Sequence, residues 1–425
     1  MTVGRDIAYS RWLLVITLCG ALLRFWGVAS QPLLADEVGA AFTAVNYMEN
    51  GQIGPIMPHH PHLRDIVLFF VGTFAGYSPL SLRAFSLFSG ILSIPLMAGI
   101  MRRLGSNHGT ALLAALLLAM EQVHIVFSRQ AIQETWTTFL FLLGVYLVLN
   151  YQKCGRKPHY LFLAGICFGA GTASKFHALF PLFACMLLCL WFSLRERVWM
   201  RAVFELVTLT VLPFTVYVLT FLPWFARGYG LADWVPMQRA ILEMMVHHQG
   251  NPMDQIIDRQ AWQWFLRPMV YGNFVMDGTT PHVTISWSNP LVWLLVIPAT
   301  AFQAWHCLRE RANPSSVVDR SVPLLLFGAS YLPLATSSRP IWLLTSLAVI
   351  PFAFMILSRT LVEISESFTY GRRVLAVYLS AVVVVLLLAW PMAVGKGTHY
   401  GYLAPFVERY RSVMEVVPTD TGNER

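Results

Sequence analysis

Charge is what this chain has least of: 12% of its 425 residues are Asp, Glu, Lys or Arg, against 56% hydrophobic. That balance excludes both an ordinary soluble domain and a disordered one. Cysteine is also scarce. The six (Cys19, Cys154, Cys167, Cys185, Cys189, Cys307) fall in apolar spans or in loops assigned below to the inner side, which excludes an outer-face disulfide framework. No low-complexity tract, internal repeat or soluble domain interrupts the chain. Thirty Lys and Arg face 22 Asp and Glu, but the cations are scattered over separate loops. A net charge of +8 in that arrangement gives no reason to expect nucleic acid.

Long apolar runs are what fills the sequence. With about 20 residues needed per crossing, about eleven windows qualify. They run over Trp12–Ala29, Leu82–Met101, Thr110–Phe127, Ile132–Asn150, Tyr160–Ser174, Ala178–Leu194, Val203–Phe225, Pro290–His306, Val322–Thr336, Ile341–Leu357 and Val374–Val394. The pattern predicts an all-α polytopic membrane protein. Placing the N-terminus inside puts Arg102-Arg103, Lys153/Arg156/Lys157, Arg195/Arg197/Arg201, Arg309/Arg311/Arg320 and Arg359/Arg372/Arg373 on the cytoplasmic side, as the positive-inside tendency requires. The first span ends in Gly27-Val28-Ala29, which resembles a cleavage site, but Arg24 interrupts the region before it, so an uncleaved anchor is expected.

Four regions follow: a first membrane module over 1–225, a second outer loop over 226–289, C-terminal spans over 290–394, and an outer tail over 395–425. Within the first module, residues 30–81 form an outer loop with a helical pattern over Val38–Met48, a Gly/Pro break at Gly51–Pro61, and an amphipathic segment from Leu63 to Phe74. Such short apolar segments cannot cross; they are expected to lie at the interface. The second loop is rich in tryptophan (Trp234, Trp262, Trp264, Trp287), read first as an aromatic belt and second as a surface for stacking on sugar rings.

Candidate chemistry gathers at the outer side. Asp36-Glu37 opens a helical pattern, where backbone N–H groups favour ionised acids while mutual repulsion raises one of the pair toward the range of a general base. The alternative is a capping pair with no catalytic task. The outer loops, which should be poor in cations, each carry one: Arg129, Lys175 and Arg339, with Arg83 and Arg24 at similar depth. Singly, each reads as a side chain reaching for lipid headgroups; together, facing paired acids, they suggest a pocket for a lipid phosphate or pyrophosphate. Glu134 lies one turn beyond Arg129 and pairs with it in this reading. His59, His60 and His62 with the acids match no specific ligand spacing, so a divalent metal is possible but not favoured. His247-His248 and His282 are weaker candidates still.

In these residues the chain resembles the GT-C glycosyltransferases of the family 39 group, which includes protein O-mannosyltransferases and lipid A aminoarabinose transferases. Arg24-Phe25-Trp26-Gly27 followed by Asp36-Glu37 resembles the arginine-bearing first span and its acidic motif. His60-Pro61-His62-Leu63 resembles a His-Pro-Pro-Leu motif, with His62 for the second proline and Asp65, preceded by Arg64, for the closing lysine. Arg83 to Gly90, Phe127-Ser128-Arg129 with Glu134, and Gly165 to Lys175 follow in the family's order; Ser338-Arg339-Pro340 resembles a late segment. The resemblance implies a GT-C helical bundle and transfer of one sugar, with inversion, from a polyprenyl-phosphate donor at the outer face to a lipid, glycan or protein hydroxyl, with no cofactor required. Asp36, with Glu37, would be the catalytic acid pair; Arg83, Arg129, Lys175, Arg339 and Arg64 would hold phosphate; His60, His62, Glu134 and Arg24 would line the substrate pocket. A bacterial inner-membrane member, active toward the periplasm, fits the chain's length.

A transporter or flippase of lipid-linked glycans is the rival from another class, but it predicts internal repeats and charges near mid-membrane. A polymerase or ligase of lipid-linked oligosaccharides is the rival within glycan chemistry.

Overall fold

The computed structural model describes residues 2–52, 60–247, 260–277, 280–309, 314–338 and 340–395. Its helices are α1 (Thr2–Phe25), α2 (Ala35–Asn50), α3 (Leu63–Ala75), α4 (Pro79–Arg103), α5 (His108–Met120), α6 (Gln122–Ser128), α7 (Gln133–Lys153), α8 (Pro158–Ser174), α9 (Leu179–Arg195), α10 (Trp199–Leu219), α11 (Leu222–Phe225) and α12 (Leu231–His247). A hairpin of β1 (Val270–Asp277) and β2 (Thr280–Trp287) follows, then α13 (Pro290–Trp293), α14 (Val296–Arg309), α15 (Pro314–Ala335), α16 (Ile350–Glu366) and α17 (Gly371–Ala393).

Among the described residues, six helical stretches are long and apolar enough to cross a membrane, seven if the bent pair α5–α6 counts as one. Helices α7, α8 and α15 fall on three other expected windows but are shorter or more polar, whereas the window Ile341–Leu357 divides into a 3-10 segment over Leu343–Ala348 and the start of α16, which runs on to Glu366. The bend of 59° between α5 and α6 splits the window read as one span, Thr110–Phe127. Its local cause is at Glu121, whose backbone leaves the helical region while its side chain accepts from Val123 N at 3.3 Å to cap α6.

Side-chain caps fix two other starts. Asn107 accepts from Thr110 N at 2.8 Å to open α5, and Ser78 followed by Pro79 opens α4, a sequence suited to a helix start. Helix α2 ends at Gly51, whose positive φ of 67° a side chain would resist.

Among the described residues, the hairpin is the only β-structure in an otherwise helical bundle. The strands pair antiparallel from Val270↔Trp287 to Asp277↔Thr280, and the hairpin packs through Ile285 against Ala389 and Met392 of α17.

One large apolar core joins α4, α5, α7, α8, α9 and α14 to α17. A smaller cluster (Ala40, Ala44, Leu68, Leu82, Ala131, Trp136) ties α2 and α3 onto the starts of α4 and α7. This cluster holds α2, whose first turn carries Asp36-Glu37, against α3, α4 and α7.

Candidate active site

Asp36 and Glu37 occupy the first turn of α2, and the two carboxylates have opposite environments. Glu37 is fully buried. It accepts from Leu34 N at 2.9 Å, from Ala131 N at 2.7 Å, and from Arg83 through Nε at 2.7 Å and Nη2 at 2.6 Å. Four donors leave it nothing to offer a substrate; its function is to pin the α2 turn to α4 and to the α6–α7 loop. The expectation of Glu37 as a reacting group is therefore corrected to an anchoring one.

Asp36 is exposed and makes no hydrogen bond with a described residue. Its pKa is raised above the ordinary aspartate value: the protein around it displaces water, Glu134 adds repulsion, Arg64 counters, Glu37 adds and Lys175 counters. A carboxylate with free lone pairs and a raised proton affinity is what a general base requires.

Two cations stand near it. Lys175, just past the end of α8, forms a buried ion pair with Glu134 in the first turn of α7. The expected partner of Glu134, Arg129, is replaced by Lys175. Arg64, in the first turn of α3, donates to Asp65 at 3.0 Å, while its Nη1 approaches Gln133 Oε1 at 3.5 Å. Asp65 is itself buried and takes His62 Nδ1 at 3.1 Å. His62 stacks on Tyr47 at 4.4 Å between ring centres and meets Phe221 edge-on at 5.1 Å. The His62-Asp65 pair at the position of the altered motif thus sets the direction of Arg64.

The remaining arginines are framework. Arg83 has five N–H groups and five acceptors: both oxygens of Glu37 and the carbonyls of Val28, Gln31 and Pro32. None is left for a phosphate in this conformation. Arg129 caps the end of α1 through the carbonyls of Arg24 at 3.0 Å and Trp26 at 2.6 Å, and reaches Gln31 Oε1 at 3.4 Å. Arg24 closes the C-terminus of α5 through the carbonyls of Leu118 and Ala119 and meets His124 Nδ1 at 2.8 Å. Its side chain is fully buried. Cations at helix C-termini satisfy orphan carbonyls and complement the dipole. His60 is half-buried beside His62, and Arg339 lies outside the described residues, as do His59 and His248.

The sequence reading missed Gln31, whose side chain donates to Thr284 of β2 at 2.6 Å while its own carbonyl and amide oxygens take Arg83 and Arg129. Its only sequence signal was its place between two expected site motifs. Among the described residues, no group of three or more His, Cys, Asp or Glu is arranged to hold a metal ion.

Residues 73–227 match the family model described as dolichyl-phosphate-mannose-protein mannosyltransferase. A polyprenol-phosphate-mannose–protein mannosyltransferase of Mycobacterium tuberculosis is 23% identical, the match covering 90% of this chain and 87% of that protein. The Saccharomyces cerevisiae protein O-mannosyltransferase Pmt1-Pmt2 complex bound to the sugar donor superposes with a TM-score of 0.81 at 13% identity, covering 94% of this chain and 92% of that one. ArnT from Cupriavidus metallidurans bound to undecaprenyl phosphate superposes with a TM-score of 0.51 at 14% identity, over 98% of this chain and 74% of that one. The fold is that of the GT-C membrane glycosyltransferases, and the protein is an integral membrane protein.

Proposed function

We propose that this GT-C chain is an inverting glycosyltransferase that moves one sugar from a polyprenyl-phosphate donor to an acceptor hydroxyl. The reading rests on one observation: Asp36 is an exposed acid with no hydrogen-bond partner among the described residues, set beside the cations Lys175 and Arg64, while its neighbour Glu37 is fully engaged by Arg83, Leu34 N and Ala131 N. Polyprenol-phosphate-mannose, in the name of the similar mycobacterial protein, belongs to this chemical class of donor, and the undecaprenyl phosphate bound to the similar ArnT is such a lipid phosphate without its sugar.

Displacement at an anomeric carbon needs a base on one face and a stabilised leaving group on the other. Asp36 takes the proton of the acceptor hydroxyl as its oxygen attacks. The bond between the anomeric carbon and the phosphate oxygen breaks with its electron pair going to phosphate. Lys175 and the outward N–H groups of Arg64 receive that charge. The acceptor is a hydroxyl of a lipid, a glycan or a protein.

The site faces the periplasm of a bacterial inner membrane in this proposal. Support comes from the opposite end of the bundle, where α4 ends in Arg102-Arg103 and where Lys153 pairs with Asp319, Arg156 with Glu196 and Arg320 with Glu363. Cations gathered at that end support reading it as the cytoplasmic one. Mass spectrometry of glycoproteins and glycolipids from cells with and without the gene tests the proposal. Loss of a single-sugar modification with the lipid-linked sugar still reaching the outer leaflet is expected; loss of the modification with lipid-linked sugar stranded on the inner leaflet would favour a flippase, and an unchanged glycan profile would contradict the proposal.

A further inference from the structure

Glu134 is neither base nor phosphate ligand in this scheme, yet it holds one of the scheme's two cations. It stands in the first turn of α7 with Lys175 Nζ on Oε1, and both side chains are about 5–6% exposed. No other described donor reaches its carboxylate. A lysine so paired has spent its charge before any donor arrives, since a buried ion pair is tightly coupled and exposes little field.

The charged groups facing Asp36 are Glu134 from α7, Arg64 from α3, Glu37 from its own helix and Lys175 from the end of α8. Glu37 is answered by Arg83, and Arg64 is fastened to Asp65. Lys175 and Glu134 are the pair whose separation changes what Asp36 experiences.

We propose that Glu134 is a positioning residue that keeps Lys175 parked until the donor arrives. The lipid-linked phosphate draws Lys175 Nζ away, and the carboxylate left behind faces Asp36 without its cation, making Asp36 the stronger base. This rests on the phosphate-binding role given to Lys175 above. In the transfer step, the acceptor oxygen bonds to the anomeric carbon, the phosphate oxygen departs with the bonding pair, and the acceptor proton goes to Asp36. When the lipid phosphate leaves, Lys175 returns to Glu134 and Asp36 gives its proton to water. One ion pair thereby links donor occupancy to base strength.

Binding of undecaprenyl phosphate to the full-length protein in lipid nanodiscs tests the proposal. Lys175→Met should weaken binding about tenfold or more, and Glu134→Gln should tighten it about five- to tenfold, the range of a modest coupling between sites. The double variant should bind like Lys175→Met alone within about twofold, because Glu134 acts through Lys175. If Glu134→Gln does not fold, Glu134→Asp, which shortens the acid's reach, should tighten binding in the same direction. Unchanged affinity in Lys175→Met would overturn the phosphate reading itself. Weaker binding in Lys175→Met with unchanged or weaker binding in the Glu134 variants would overturn the switch and leave that reading standing.

Discussion

Arg83 grips both carboxylate oxygens of Glu37, Nε on Oε1 at 2.7 Å and Nη2 on Oε2 at 2.6 Å, with both side chains fully buried. The pair fixes the turn that presents the adjacent Asp36, so two neighbouring acids in the sequence divide into a strut and a free carboxylate.

Breaking that strut should cost folding. Glu37→Gln or Arg83→Met leaves one buried charge unanswered, a loss of about 3–5 kcal/mol. A lower melting temperature and lower yield of monodisperse protein in detergent check this; wild-type stability in both variants would contradict it.

Asp36 should behave in the opposite way. Its raised pKa means the folded state binds the proton more tightly than the unfolded one. Stability contributed at this site therefore falls as pH rises through the folded pKa. Asp36→Asn removes that cost and should melt no lower than wild type at neutral pH. A clear drop in melting temperature would make Asp36 a structural residue.

Activity should follow the same group. The ionised form is the base, so transfer fades as pH falls, with an acid limb above the ordinary aspartate range. Glu134→Gln removes a like charge and frees a cation near Asp36, and both effects move the limb to lower pH. A limb that stays in place, measured by transfer rate against pH, would disconnect Glu134 from the base.

Close packing behind the site gives a further prediction. A Cβ on Gly90 would fall 2.7 Å from Ser128 Cβ and 3.3 Å from Arg24 Nε. Gly90→Val should destabilise by about 1–3 kcal/mol through overpacking, and thermal melting reads this directly. Gly39, whose added Cβ meets nothing within 4 Å, serves as the tolerated control as Gly39→Ala.

Since Lys175 and Arg64 supply the charge for the leaving phosphate, transfer should continue undiminished in excess EDTA. Activity lost in chelator and restored by a divalent ion would assign the phosphate to a metal instead.

The spans were legible because hydrocarbon leaves backbone groups no partner but their own helix, which forces long apolar runs of fixed period. Helices α2 and α3 were legible for a similar reason, each keeping one apolar stripe. The hairpin was not, because its alternation over 270–287 was short and read as part of a tryptophan-rich belt. In the site, Asp36, Arg64 and Lys175 could be picked out as charges on the side where charge is scarce. Their partners could not: Lys175 takes Glu134 where Arg129 was expected, and Arg83 and Arg129 turn to carbonyls of the α1–α2 loop. Sequence shows where an arginine sits but not which of its five N–H groups are already spent.

The most direct test is transfer by Asp36→Asn, in nanodiscs, from a polyprenyl-phosphate sugar to an acceptor hydroxyl, alongside binding of undecaprenyl phosphate by the same preparation. Transfer should fall about a hundredfold or more, the range for loss of a general base, while binding of the lipid phosphate persists. Transfer at the wild-type rate by the folded variant would contradict the role of Asp36 as the base.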